Sequence, residues 1–505
     1  MAKRGFVLLF AVAFAQAHLY GQALSFPWSG LGHDPQHTAL SSVPAQPLNR
    51  IRWQTPVDLQ PQYSGSSLLV HYGSPLVTAA NTVIIAVKTG ASDGFKVEAR
   101  SGADGSLKYS LASDYTTPPH NWLPSFGPVV SARNRLYYAG AGGTVYYRDQ
   151  PDSNSGPSGQ IAFYGNANYA SNPSAFNSTV KISTPITSDR TGNIFFGYRV
   201  VGPNPLNLQS GFAKIAYNGV GTFITAFAAA GGDASITRVA MNCSPALSND
   251  HRILYFGVAG GSGFGTGYLV SVDSRTMTPV ARIRVKDPNT LGNGIIAEDG
   301  SSSPTVGPDG DVYYGILENP FPSHHGRGWL LHFNGALTQT KLPASFGWDI
   351  TPSIVPSNLV SNYSGPSSYL LLTKYNNYAG AGGNSINHVA VLDPGVAMTD
   401  AYSSVQVMKE VFTVAGPTPD AEYAASFPGA VREWCINTTA IDPFTKAAFA
   451  NSEDGRLYRL DFAARAITQS IKLTSGIGEA YTPTVIGVDG TVYAINNAIL
   501  FAVGQ

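Results

Sequence analysis

Charged residues are scarce in this chain, and those it has are not scattered. Lys plus Arg number 31 and Asp plus Glu 31 among 505 residues, 12% in all, about half the share usual in soluble proteins. Yet charged and aromatic side chains recur in short stretches, most of which end at a proline. His71 and Tyr72 precede Pro75, Trp122 precedes Pro128, and Lys181 precedes Pro185. Arg238 and Asn242 precede Pro245, Glu298 and Asp299 precede Pro304, and Trp348 and Asp349 precede Pro352. Arg432, Glu433 and Trp434 stand before Asn437-Thr438-Thr439-Ala440-Ile441, and Glu479 and Tyr481 before Pro483. Brought together, the carboxyl groups of Glu298, Asp299, Asp349, Glu433 and Glu479 could serve as general acid and base. Arg238 or Arg432 could clamp an anion. Tyr72, Trp122, Lys181, Asn242, Trp348, Trp434 and Tyr481 would line a site with aromatic faces and hydrogen-bonding groups. A glycosidase-like carboxyl pair also needs a definite separation, which sequence spacing does not set. The plainer reading is of polar loops whose charges pair with one another and with water.

These stretches share a position because each opens a repeated phrase: Ser/Thr/Gly-Pro, an apolar pair, a turn, then paired aromatic or β-branched residues. The clearest copy runs from Ser303-Pro304-Thr305-Val306 through Asp309-Gly310 to Val312-Tyr313-Tyr314-Gly315, and the last has Thr482-Pro483-Thr484-Val485 with Asp489-Gly490-Thr491-Val492-Tyr493-Ala494. The phrase's prolines at 75, 128, 185, 245, 304 and 352 are 53, 57, 60, 59 and 48 residues apart. With the degenerate copy at 437–441 and the last at Pro483, that makes eight starts. A repeat of this length means an array of similar units.

Each part of the phrase suits an antiparallel strand unit. Proline lacks an N–H and belongs at a strand's first residue. Asp-Gly supplies the positive φ of a tight turn, and Val, Ile, Tyr and Phe suit a pleated, half-buried surface. A second strand (Leu136-Tyr137-Tyr138-Ala139), a third (Trp329-Leu330-Leu331-His332-Phe333) and a fourth (Val280-Ala281-Arg282-Ile283) can be read in different copies. One four-stranded unit cannot cover both its faces, whereas a radial ring of them can. The expectation is therefore all-β: a single β-propeller of four-stranded blades, eight preferred and seven the alternative. The last copy runs out after about three strands, and Ile51-Arg52-Trp53-Gln54 is placed to supply the fourth and close the ring. The stretch from Pro151 to Ser178 reads as a surface loop rich in Ser, Asn, Gly and Pro.

Residues 1–23 read as an export signal: Lys3 and Arg4, an apolar run from Gly5 to Ala15, and small residues at Gly21-Gln22-Ala23. Residues 24–505 would be the mature propeller, secreted or periplasmic. No later stretch is apolar enough for a membrane span. The net charge of zero leaves no basic excess for nucleic acid. Export favours pairing the two cysteines, Cys243 and Cys435, but they sit in repeats that are not neighbours, so pairing stays open. His324-His325 could ligate a metal, although a solvated loop is the simpler reading. Gly257 to Gly267 reads as a flexible hairpin loop, because no helix follows to cradle a phosphate.

The phrase around Ser303 to Gly315, and Trp28-Ser29-Gly30-Leu31-Gly32-His33-Asp34-Pro35-Gln36-His37-Thr38, resemble the repeat and the opening of exported bacterial pyrroloquinoline-quinone-like (PQQ-like, quinoprotein-like) β-propellers. The resemblance covers most of residues 28 to 505. It implies the fold and leaves the activity open, since the family includes dehydrogenases and assembly factors. The chain departs from it in lacking the usual tryptophan ending each outer strand, Trp53 being the best match, and the adjacent cysteine pair of quinone-dependent alcohol dehydrogenases. The function expected is a monomeric, non-catalytic binding or scaffold propeller without cofactor or metal, using its funnel face for a glycan, a peptide or an envelope protein. The alternative is an enzyme, either a dehydrogenase using PQQ with calcium or a carbohydrate-active propeller. His33, Asp34 and His37 are expected to secure the ring closure.

Overall fold

The structure is a computed structural model and describes residues 28–261, 263–479 and 483–505. The expected export segment lies outside the described residues. Eight antiparallel sheets follow one another along the chain as eight blades. Their innermost strands open at Leu76, Val129, Thr187, Ala246, Thr305, Ser353, Ala440 and Thr484, each within three residues of a phrase start. Most blades have four strands. The fifth has three, Thr305–Val306, Val312–Ile316 and Trp329–Phe333, with Thr340 and Ala344 bridging its outer edge.

The hydroxyl residues beside the prolines have a physical role. With no proline N–H to donate, neighbouring innermost strands are tied by Ser and Thr. Ser244 N–H donates to Ser303 Oγ at 2.9 Å and Ser303 N–H to Thr351 Oγ1 at 3.0 Å. On the other side of the proline, Thr187 donates to Pro245 O at 2.6 Å, Thr305 to Pro352 O at 3.1 Å and Ser353 to Thr439 O at 2.7 Å. The aromatic pair of the second strand fills the space between blades. Tyr137, Phe196, Phe256 and Tyr314 are all buried, and Phe212 stacks on Phe256 with ring centroids 3.6 Å apart. Each such burial contributes about 1.5–3 kcal/mol, so packing between blades is a principal source of the ring's stability.

The ring closes as the sequence predicts. The strand Arg50–Pro56 pairs antiparallel with Ile499–Gly504, Arg50 facing Gly504 and Pro56 facing Ile499. Trp53 is buried there and donates from Nε1 to Gly102 O at 3.0 Å, and Arg52 pairs with Asp489 at 2.8 Å.

Before that strand, residues 28–49 wind across the channel end where the innermost strands finish. Val77 N–H donates to Trp28 O, Val130 to Ser29 O, Leu247 to Pro35 O, Val306 to Gln36 O, Ile354 to Thr38 O and Ile441 to Ala39 O, all at 2.8–3.0 Å. Gln46 N–H donates to Gly490 O at 2.8 Å. One segment thus reaches seven of the eight blades. His37 fixes its middle, with Nδ1 2.7 Å from Pro304 O. Asp34 holds the turn by accepting from the backbone N–H of Gln36 and Thr38 while lying 3.4 Å from His33.

Three local readings are corrected. The stretch from Pro151 to Ser178 holds a blade strand, Ser158–Ala162, and two short helices, Asn166–Ser171 and Pro173–Thr179, the second capped by Asn172 with Pro173 in its first turn. His324 is not in a solvated loop: it is buried, stacks on Trp329 at 3.9 Å and lies 3.3 Å from Asp400, while His325 Nδ1 meets Asn377 Oδ1 at 3.1 Å. The glycine stretch is mostly strand, Ile253–Ala259 and Phe264–Asp273. Cys243 and Cys435 are both buried and are not joined in a disulfide.

Candidate functional site

The phrase's leading residues lie at the channel end opposite to residues 28–49. The loops that join each blade's second and third strands reach the same face. Loops from opposite blades meet there across the axis. His71 spans it, with Nδ1 3.1 Å from Leu123 O and Nε2 3.1 Å from Asp299 O. Burial pushes this ring down to about 4, helped by the nearby positive charge of Lys374, so it is neutral near pH 7. Asn242 accepts from Ser125 N–H at 2.9 Å, and Asn437 donates to Ser301 O at 3.1 Å. These bonds form a floor.

To one side of the axis, two joined cavities open. A cleft of about 550 Å³ and a chamber of about 370 Å³ share Trp122, Tyr423, Glu433 and Cys435 on their walls. The cleft adds Asp420, Glu422, Arg432, Glu453 and Asp454. The chamber adds Phe321, Trp348, Asp349, Lys374, Tyr378 and Trp434. Both cations on these walls have partners. Lys374 lies 2.8 Å from Asp349 Oδ2, the pair being buried, and Arg432 lies 3.3 Å from Glu453 and 3.7 Å from Asp420. Asp349 Oδ1, also buried, has no hydrogen-bond partner. Burial pushes the carboxyl of Glu433 up to about 8, and the charges of Glu453, Asp349 and Asp420 reinforce the shift against Lys374. Burial raises Glu453 as well, against Arg432. The site is therefore aromatic and acidic, with one carboxyl, that of Glu433, able to hold its proton near neutral pH.

Of the residues singled out in the sequence, Trp122, Trp348, Asp349, Arg432, Glu433 and Trp434 come together on these walls. Others are occupied elsewhere. Glu298 is held by Arg199 at 2.6 Å, Arg238 at 3.3 Å and the N–H of Gly263 at 3.0 Å, so neither Glu298 nor Arg238 is free to act on a ligand. Lys181 donates to Asn177 O at 2.6 Å and to Thr116 Oγ1. The Tyr72 hydroxyl reaches Asp58 at 3.4 Å, beside a buried Asp58–Lys88 pair. Asn242 ties loops together. Asp299 gives its carbonyl to His71 and faces Asn121 at 3.4 Å, and burial raises its carboxyl. The backbone of Glu479 pairs beside Leu68, and Tyr481 lies outside the described residues. Sequence reasoning missed Lys374, which lies at the end of the second strand Tyr369–Tyr375, and Tyr378, Phe321 and Glu453, which follow second strands. Antiparallel order returns the chain to the funnel face at those points, and that order was the available signal.

No family sequence model matches this chain, and no curated protein resembles it closely enough in sequence to be aligned with it. Solved structures do resemble it in shape. A europium-containing methanol dehydrogenase is 10% identical with a TM-score of 0.55, covering 93% of this chain and 89% of its own. The quinohemoprotein alcohol dehydrogenase of Comamonas testosteroni is 12% identical with a TM-score of 0.53, covering 96% and 78%. That of Pseudomonas putida HK5 is 12% identical with a TM-score of 0.50, covering 95% and 76%. At such identity the likeness speaks for architecture alone, and it identifies the chain's fold as an eight-bladed, quinoprotein-like (PQQ-like) β-propeller.

Proposed function

We propose that this chain is an exported, non-catalytic binding propeller that works as a monomer and takes a glycan, a peptide or an envelope protein in its funnel. One observation carries the reading: the joined cavities, walled by half-exposed aromatic rings and buried carboxyls from several blades, open on the face opposite residues 28–49. Concave aromatic surfaces with a few placed polar groups are where ligands bind. Among the described residues no helix is long and apolar enough to cross a membrane.

The shape also prompts a dehydrogenase reading, in which the funnel would hold PQQ. The residues do not fit that group. PQQ is a planar tricarboxylate, and these walls carry six carboxyl residues against Lys374 and Arg432, both already paired. The carbohydrate-active alternative rests on a specific observation: Glu433 keeps its proton up to about 8 beside the charge of Glu453, as a general acid requires. It predicts turnover of some glycan that Glu433→Gln abolishes.

The binding reading is tested by immobilising residues 24–505 and passing over glycan, peptide and envelope-protein panels. At least one ligand should be retained, and a Trp122→Ala/Tyr423→Ala variant with an unchanged melting curve should lose it about tenfold or more. Retention of nothing, or equal retention by the variant, refutes the proposal.

A further inference from the structure

Building on the funnel as a binding site, we infer that its chamber takes an organic cation: the ammonium or guanidinium group of a small amine, or of a lysine or arginine side chain in a peptide. Three independent features point the same way. The joined walls hold Asp349, Asp420, Glu422, Glu433, Glu453 and Asp454 against Lys374 and Arg432, an excess of acid in a chain whose net charge is zero. Both cations are committed to carboxylates, so neither is available to an anionic guest. Second, acceptor capacity is left over inside the walls. Asp349, on the chamber wall, is 1% exposed and its Oδ1 has no hydrogen-bond partner, and Glu433 stands on the wall common to both cavities. A buried acceptor of this kind is costly unless a donor reaches it. Third, Trp122, Phe321, Trp348, Tyr378 and Tyr423 line the same space, and Phe321 is 57% exposed. Aromatic faces attract cations through the ring quadrupole, most strongly where water is excluded.

The groups facing Glu433 are Glu453, Asp349 and Asp420 on the acidic side and Lys374 as the opposing cation, with Arg432 next to it in the chain. A cation seated among them favours the ionised carboxylate, so its binding expels the Glu433 proton. Affinity for a cation that does not itself titrate should then rise between about pH 6 and pH 8.

The probe is choline, titrated calorimetrically into residues 24–505 beside 3,3-dimethylbutan-1-ol, its uncharged twin in shape. A lysine-bearing hexapeptide and its Nε-acetylated form make the second arm. Choline, the lysine peptide or both should bind about tenfold or more tightly than the neutral partner. Choline alone would assign a small amine, and the peptide alone a polypeptide side chain. Glu433→Gln, a near-isosteric change at the cavity wall, should weaken binding and abolish its rise with pH. Equal binding of charged and neutral partners, or no binding of either cation, overturns the inference. If a neutral glycan is nevertheless retained on the immobilised protein, the funnel remains a binding site and only its assigned chemistry is wrong. If nothing is retained, both fail.

Discussion

Glu433 is the residue at which the structure states its chemistry most sharply. Its carboxyl titrates near 8 in the folded chain and at the ordinary value of about 4.3 once unfolded. The folded state therefore binds the proton more tightly, and this stabilisation is complete below the unfolded value and lost as pH rises through about 8. The buried histidines act in the opposite direction but lower down. His71 is pushed to about 4, and His37 is lowered by burial, so their effect ends above about pH 6.5. Between pH 6.5 and 8.5 the melting temperature should fall, and Glu433→Gln should flatten that fall. One proton fixes a ceiling of about 1.4 kcal/mol per pH unit, and about half is expected because Glu433 keeps an edge to the cavity. Thermal melts of both proteins across that window decide it; parallel curves would show that Glu433 is ionised throughout. Asp349, Arg432, Glu433 and the tryptophans were legible in the sequence because they precede the repeated phrase. Lys374 and Glu453 were not, because Lys374 closes a second strand and Glu453 follows one, away from the repeated phrase. Nor could spacing show that Arg199 would spend Glu298 and Arg238 on one another's charge.

Among the elements, the closing strand joins residues 50–56 to residues 499–504 and so completes the ring. Trp53 packs beside Tyr493 with ring centroids 5.6 Å apart, and Gly105 lies so close to the indole that an added Cβ would come within 2.6 Å of it. Trp53→Ala should destabilise the chain by about 3 kcal/mol in urea unfolding while leaving funnel binding unchanged, since the indole is far from the cavity walls. A loss under about 1 kcal/mol would mean that the ring does not depend on this closure. The strand was legible because Ile51-Arg52-Trp53-Gln54 has strand chemistry and the last repeat lacked a partner. The segment across the far end was only hinted at by His33, Asp34 and His37. It binds the blades chiefly through backbone carbonyls, and carbonyls leave no mark on residue types. The two helices after Ser158–Ala162 escaped notice for a related reason: each is under eight residues, too short to show a 3.6 period.

At the scale of the whole molecule, eight blades share one floor of crossing loops, and residues 28–49 lie across the other end of the channel. The buried polar groups of the cavity walls open to the funnel side. The seven-bladed alternative is excluded by the eight innermost strands. This level was the most legible, because the repeat count and the proline position belong to the sequence itself, whereas the cavity depends on loops that differ in every copy. The most direct measurement is amide hydrogen exchange of residues 24–505 with and without a saturating ligand, choline or one retained by the panel. Protection confined to the wall segments 119–123, 319–326, 346–350, 374–381, 418–435 and 452–455 is the predicted result. Protection on residues 28–49, on the outer strands or nowhere would contradict the claim that this propeller binds its partner in the funnel.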